Sequence, residues 1–234
     1  MIIGGWQKVS LVDYPGKISC VVFSDGCNFN CPYCHNPELV RGSKSNFDCI
    51  NENAVFDYLK VRRGHLDGVV ISGGEPTIHN NLIPVCRKIK RLGYQIKLDT
   101  NGSRPQIIRQ LLEKGLVDYI AMDIKTDPFH YAPLIKKDCN PINLLLSIQI
   151  IMDSSLPYEF RTTCVKPIVN EQAVEKILKI IKGARLYALQ AFHDTGVLQP
   201  DFFRDNETFY DQGELMSLKS MADTWVQELS LIHI

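Results

Sequence analysis

Six short apolar, β-branched runs alternating with helical stretches constrain the fold of this chain more than any other property. The runs lie at Ile18 to Ser24, Gly68 to Ser72, Gln95 to Thr100, Asp118 to Asp123, Glu159 to Val165 and Leu186 to Phe192, and each reads as a buried strand. Between them, Asn80 or Asn81 precedes a stripe of Leu82, Val85, Cys86 and Ile89 that stops at Gly93. Ser103, Pro105 and Gly115 bracket a second helix, and Asn140-Pro141 opens an apolar third one running to about Met152. Asn170 caps a fourth, with Val174, Ile177, Leu178 and Ile181 on one face before Gly183. Repeated strand-helix units imply a parallel sheet.

A chain of 234 residues, 45% hydrophobic and 22% charged, can bury a full core, which excludes a disordered protein. Basic and acidic residues both number 26, so no global field draws it to nucleic acid or to an acidic membrane, and neither is an expected partner. Met1 to Trp6 lacks a basic n-region and an apolar h-region, and no apolar stretch approaches the ~20 residues of a spanning helix; the expected location is cytoplasmic. One domain over residues 1–228 is the simplest organisation, with long loops or lids at Arg41 to Asn53 and Gln199 to Gln212. Residues 229–234, Leu229 to Ile234, read like translated adapter sequence and are expected to be a non-native tail, so no role is placed on His233.

Chemistry concentrates in Cys27-x-x-x-Cys31-x-x-Cys34, on a loop after the first apolar run. Three thiolates leave one iron of a four-iron cluster open to a small molecule. Two of these cysteines also form Cys31-Pro32-Tyr33-Cys34, which fits a thiol-redox motif, and His35 extends it to the haem-attachment form. Both leave Cys27 unused. A structural zinc site would need a fourth ligand such as His35 or Cys20. Cys20, Cys49, Cys86, Cys139 and Cys164 have no ligand-like spacing and read as buried free thiols.

In parallel β/α folds, function gathers at the carboxyl ends of strands. The cysteine loop, Gly73-Gly74-Glu75-Pro76, Asp99-Thr100-Asn101-Gly102, Asp123-Ile124-Lys125 and His193 all fall at such ends. The two glycines allow close backbone approach to a ligand, and strand-end Asp99 and Asp123 could bind a cation or ribose hydroxyls or cap helices. Lys125 could meet a ligand carboxylate or simply be solvated, and His193 is equally open.

The cysteine triad with Tyr33 before its last member, followed by Gly73-Gly74-Glu75-Pro76, resembles the radical S-adenosylmethionine superfamily. Ser10-Leu11-Val12-Asp13-Tyr14-Pro15-Gly16, Cys31 to Asn36, Leu98 to Gly102 and Met122-Asp123-Ile124-Lys125 resemble its glycyl-radical-enzyme activating proteins. The nearest likeness is to activators of anaerobic ribonucleoside-triphosphate reductase, then to pyruvate formate-lyase activating enzyme; a small-molecule radical enzyme such as a deazaguanine synthase shares the cluster loop. The resemblance implies a partial (β/α)6 TIM-like barrel. It implies a [4Fe-4S] cluster on Cys27, Cys31 and Cys34 and S-adenosylmethionine held around it by Tyr33, Gly73, Gly74, Glu75, Asn101 and Arg161. Asp99, Thr100, Met122 and Asp123 match positions around a monovalent cation in related activases, with Lys125 and His193 close by. Beyond the cluster ligands it implies no catalytic acid or base. The partners implied are a large glycyl radical enzyme and a flavodoxin- or ferredoxin-type electron donor.

Overall fold

The computed structural model describes residues 1–41, 49–131, 135, 140–193, 196–204 and 207–233. Eight strands follow one another in chain order in the sheet: β1 (Ile3–Ser10), β2 (Ser19–Ser24), β3 (Gly68–Gly73), β4 (Gln95–Thr100), β5 (Tyr119–Asp123), β6 (Tyr158–Cys164), β7 (Leu186–Ala191) and β8 (Glu228–His233). All six expected strands are present. The expected count of six falls short by two edge strands: β1 carries little apolar signal, and β8 lies in the segment set aside as a tail. β1 runs antiparallel to β2, and its Gly4-Gly5-Trp6-Gln7-Lys8 stretch is only partly covered. Such one-sided antiparallel strands lack the continuous hydrophobic run of a strand buried on both faces. β8 pairs parallel with β7 from Leu186 opposite Glu228 to Ala191 opposite His233, within residues read from sequence as a tail.

The helices are α1 (Pro37–Arg41), α2 (Glu52–Val61), α3 (Leu82–Arg91), α4 (Pro105–Glu113), α5 (Pro141–Met152), α6 (Glu171–Ile180) and α7 (Gln212–Ala222). The chain divides into two compact units. One comprises Met1–Asn28, Glu38–Thr100 and Gln106–Ile120; the other comprises Phe29–Pro37, Asn101–Pro105 and Ala121–Ile234.

In the first unit β2, β3 and β4 pair in parallel, with Val21 opposite Val70 and Val70 opposite Lys97. Val69, Val70, Ile71, Ile96 and Leu98 are fully buried, and α3 presents Leu82, Val85, Cys86 and Ile89 inward as its periodicity requires. Asp118 ties this unit from within: one oxygen accepts from the Ile96 N–H at 2.7 Å, and both oxygens face Lys90 Nζ at 2.8 Å.

In the second unit β6, β7 and β8 pair in parallel. Asn140 caps α5 by accepting from the Ile142 N–H, and Asn170 caps α6 by accepting from the Ala173 N–H. Buried Ser147 of α5 donates to the Gly102 carbonyl at 2.6 Å, fixing the turn after β4. The expected loop from Arg41 lies partly outside the described residues and ends earlier than expected, because Asn51 caps α2. In the loop expected at Gln199 to Gln212, Pro200–Phe203 makes a 3-10 turn and Asp211 opens α7 with a capping box to Glu214. Among the described residues no helix is long and apolar enough to cross a membrane.

Candidate active site

Backbone hydrogen bonds in the first unit zip the turn after β3 onto the start of the cysteine loop. Gly74 N–H donates to Ser24 O and Glu75 N–H to Gly26 O, each at 2.9 Å, while Gly26 N–H donates to Leu39 O at 2.7 Å. The glycines are required for this. Gly73 sits at φ 110°, and a Cβ there would overlap the backbone of Ser24; a Cβ on Gly74 would overlap the carbonyl of Gly26 and crowd Cys27 N. The glycine pair was expected to approach a ligand; in the structure what it approaches is the chain segment that carries Cys27.

Glu75 is fully buried. Its Oε1 accepts from Thr77 N–H at 3.0 Å, Thr77 Oγ1 at 2.5 Å and Thr100 Oγ1 at 2.8 Å. A buried carboxylate persists only when hydrogen-bonded, so its visible task is to lock the turn and the end of β4 together. Asp99, also at the end of β4, accepts from Ser72 Oγ at 3.0 Å and pairs with Lys97 Nζ at 2.8 Å. Residues two apart on a strand share a face, which brings Lys97 onto Asp99. Lys97 is 2% exposed, and sequence reading passed over it. Its signal was a lysine interrupting the apolar β4 at even spacing from an aspartate.

The second unit carries Cys31 and Cys34, joined in a turn by Cys34 N–H to Cys31 O at 3.1 Å. Cys31 is buried, whereas Cys34, like Cys27 of the first unit, is half-buried. Tyr33 between them is buried with its hydroxyl unpartnered, its ring edge-on to Phe192. Burial, with Cys31 and other anionic neighbours adding to it, pushes this phenol well above the usual tyrosine range. His35 stacks on Phe192 with centroids 5.5 Å apart, and its Nε2 lies 2.7 Å from the His193 carbonyl. What His193 contributes to that contact is backbone; its imidazole belongs to an exposed residue.

Asp123 ends β5 between two cations. Arg161 Nε reaches Oδ1 at 2.7 Å and Lys125 Nζ reaches Oδ2 at 2.9 Å. Burial opposes ionisation, but these charges outweigh it and hold the Asp123 carboxyl well below the usual carboxylate range. Lys125 is correspondingly pushed above the usual lysine range: burial works against its charge, and Asp123 more than compensates. The Lys125 N–H also donates to Tyr131 Oη at 2.6 Å. Asn101 is buried and accepts from the Ser103 N–H, and buried Met122 packs where a Gly102 side chain would otherwise lie.

The remaining cysteines divide. Cys20, Cys86 and Cys164 are fully buried, and burial pushes each thiol up to about 12. Cys49 is exposed, contrary to the buried reading, because it lies just before the short bridge at Ile50 rather than within a helix or strand. Cys139 falls outside the described residues. Among the described residues, no three His, Cys, Asp or Glu side chains are grouped so that they could hold a metal ion. The donor character of the triad thus rests on its thiols and their spacing within one loop.

Residues 21–184 match the family profile of the radical SAM superfamily. A protein of Methanocaldococcus jannaschii, assigned by inference as a glycyl-radical enzyme activating enzyme, is 34% identical over 206 residues, covering 86% of this chain and 84% of its own length. The pyruvate formate-lyase-activating enzyme of Streptococcus mutans is 25% identical over 211 residues, 83% of this chain and 78% of that one. SuiB of Streptococcus suis, solved bound to S-adenosylmethionine, superposes with a TM-score of 0.66 at 13% identity over 92% of this chain and 49% of that one. That likeness carries the fold, and the α/β architecture of partial (β/α)6 barrel type is the one expected. A profile match over residues 21–184, a stretch that includes the triad loop and the Gly-Gly-Glu-Pro turn, and a relative 34% identical over most of both chains make this chain a member of the radical SAM superfamily, within its group of glycyl-radical enzyme activating enzymes.

Proposed function

We propose that this chain is an oxidoreductase that activates a partner enzyme by removing a hydrogen atom from the Cα of one glycine, and that the partner is an anaerobic ribonucleoside-triphosphate reductase. What supports the reading is extent: likeness to an activating enzyme spans 86% of the chain, and the family profile runs over residues 21–184, within which the cysteines, Leu98 to Gly102 and Met122 to Lys125 lie. Such proteins work with a [4Fe-4S] cluster and S-adenosylmethionine, which together supply reductive cleavage of the sulfonium to methionine and a 5′-deoxyadenosyl radical.

The residues present fit that pair. Cys27, Cys31 and Cys34 offer three thiols, one fewer than the irons of the cluster, which leaves a position for the cofactor's amino and carboxylate groups. Tyr33 has a buried hydroxyl that finds no hydrogen-bond partner among the described residues, suited to the adenine end of a bound nucleotide. Gly73, Gly74 and Glu75 would bind the methionine amino group through their backbone, since the Glu75 carboxylate is engaged in fixing its own turn. Asn101 would contact the cofactor further along; Arg161 would act by holding Asp123, with Lys125 beside it. Asp99 and Thr100 would set the end of β4, and His193 would lie at the periphery. No protein acid or base is needed for homolysis, so the chain's part is placement and exclusion of water. The expected electron donor is a flavodoxin or ferredoxin, and the expected compartment is the cytoplasm.

Anaerobic reconstitution tests this directly. About four irons and four sulfides per chain and reductant-dependent 5′-deoxyadenosine are expected. Mixing with candidate partners should give a glycyl-radical signal by electron paramagnetic resonance with the nucleotide reductase. A signal only with a formate-lyase-type enzyme would reassign the partner, and turnover of a purine-like small molecule without any partner would reassign the class. Cys31→Ala should abolish cluster assembly and cofactor cleavage; wild-type turnover in that variant would refute the assignment.

A further inference from the structure

We propose that this chain balances its two site carboxylates with its own side chains and takes no monovalent cation. Asp99, Thr100, Met122 and Asp123 match positions that surround such an ion in related activases, and a carboxylate draws a cation to such a site through negative charge that no neighbouring side chain has already neutralised. Neither carboxylate carries such free charge. In the first unit, Asp99 faces the ammonium of Lys97 at 2.8 Å with both side chains largely buried, and Ser72 donates to its other oxygen. In the second unit, Asp123 lies between Arg161 and Lys125, one cation on each oxygen. Thr100 turns its hydroxyl proton to Glu75. Bringing a further cation to either carboxylate would set like charges around one anion.

The feature that decides the matter is Lys97. Lys125 and Arg161 already balance Asp123 together with Glu159, which lies 3.8 Å from Arg161, so an imported cation would have to answer the charge of Asp99, and Lys97 does so from two residues away on the same strand face. A tethered ammonium cannot be dialysed away and acts at high effective concentration. Its neighbours reinforce its position: Nζ stands 5.8 Å from the ring centroid of Tyr119, on the aromatic face that attracts cations.

The test uses the full chain, anaerobically reconstituted and exchanged into choline chloride. Thallous ion stands in for potassium in equilibrium dialysis, with and without S-adenosylmethionine, and cofactor affinity is measured in choline and in potassium at equal ionic strength. No saturable thallous binding and less than a twofold change in affinity are expected. About one thallous ion per chain, displaced by potassium, or a tenfold gain of affinity in potassium would overturn the proposal. Lys97→Gln exposes the charge of Asp99 and should acquire a potassium-selective rise in melting temperature; a folded variant indifferent to potassium also counts against it. Should that variant not fold, the wild-type dialysis decides alone. The inference rests on the functional reading only in its cofactor arm: a protein that binds no S-adenosylmethionine sinks that reading, while thallous binding to the protein alone still judges this one.

Discussion

Asp123 illustrates how much of a residue's role lies in its partners. Its position at a strand end marked it in the sequence, but Arg161 read as a contact for the cofactor, and the two prove to be an ion pair 38 positions apart that no local spacing reveals. With the carboxyl held below its ordinary value of ~3.9, its contribution to stability is present above that pH and is lost as pH falls toward the lower folded-state value. Asp123→Asn removes the carboxylate partner seen for Lys125 and leaves Arg161 its longer contact with Glu159, so the variant should lose ~1–3 kcal/mol at neutral pH. The deficit relative to wild type should persist at about pH 5 and shrink only in stronger acid. Chemical denaturation of both proteins across pH would show it, and a deficit vanishing at mildly acidic pH would contradict the pairing. The thiols give a second check. A thiol pushed to about 12 is ionised in only about one molecule in 10^4 at pH 8, and it is the thiolate that alkylates. Iodoacetamide on the native, cluster-free chain should therefore label Cys49 and spare Cys20, Cys86 and Cys164, as read by peptide mass spectrometry.

At the scale of elements, legibility followed burial. Strands covered on both faces and helices with a clean apolar stripe announce themselves by period, and β2 to β7 and α3 to α6 fall where Ile18 to Phe192 placed them. β1 did not, since only two of its eight residues are buried, and α2, which starts at the end of the expected loop, was not named because its core face is only Val55, Phe56 and Leu59. The Gly-Gly-Glu-Pro turn was visible as a turn, whereas its packing partner was not, for nothing in the local sequence says which backbone will press on Gly74. Gly74→Ala should consequently destabilise the chain by ~2–4 kcal/mol and lower the iron bound per chain, because Gly26 and Cys27 must give way. Gly93→Ala is the control: it has positive φ but open space around the site, and should cost ~1 kcal/mol with iron loading unchanged. Equal losses in the two variants would mean that contact with the cysteine loop does not set the cost of a side chain at Gly74.

At the scale of the whole molecule, balanced charge removes the long-range field that commonly steers partners or keeps chains apart, so solubility depends on how sheet edges are covered. On the far side of β7 that cover is β8, whose six residues pair with Leu186 to Ala191. Tyr187, Ala188 and Leu189 of β7 are fully buried, while none of the described side chains of β8 is, so β8 contributes backbone pairing more than core. Sequence reading set Leu229 to Ile234 apart by its adapter-like composition, and composition has no bearing on whether a short extended segment can satisfy an open ladder of N–H and C=O groups. A chain ending at Gln227 would leave the ladder of β7 exposed on an apolar strand. That truncation should lower the melting temperature by several degrees, about the effect of ~1–2 kcal/mol in a chain of this size, and should increase concentration-dependent aggregation in light scattering. An unchanged melting temperature and scattering would mean that β7 holds its edge without β8 and that the terminal residues are dispensable to the sheet.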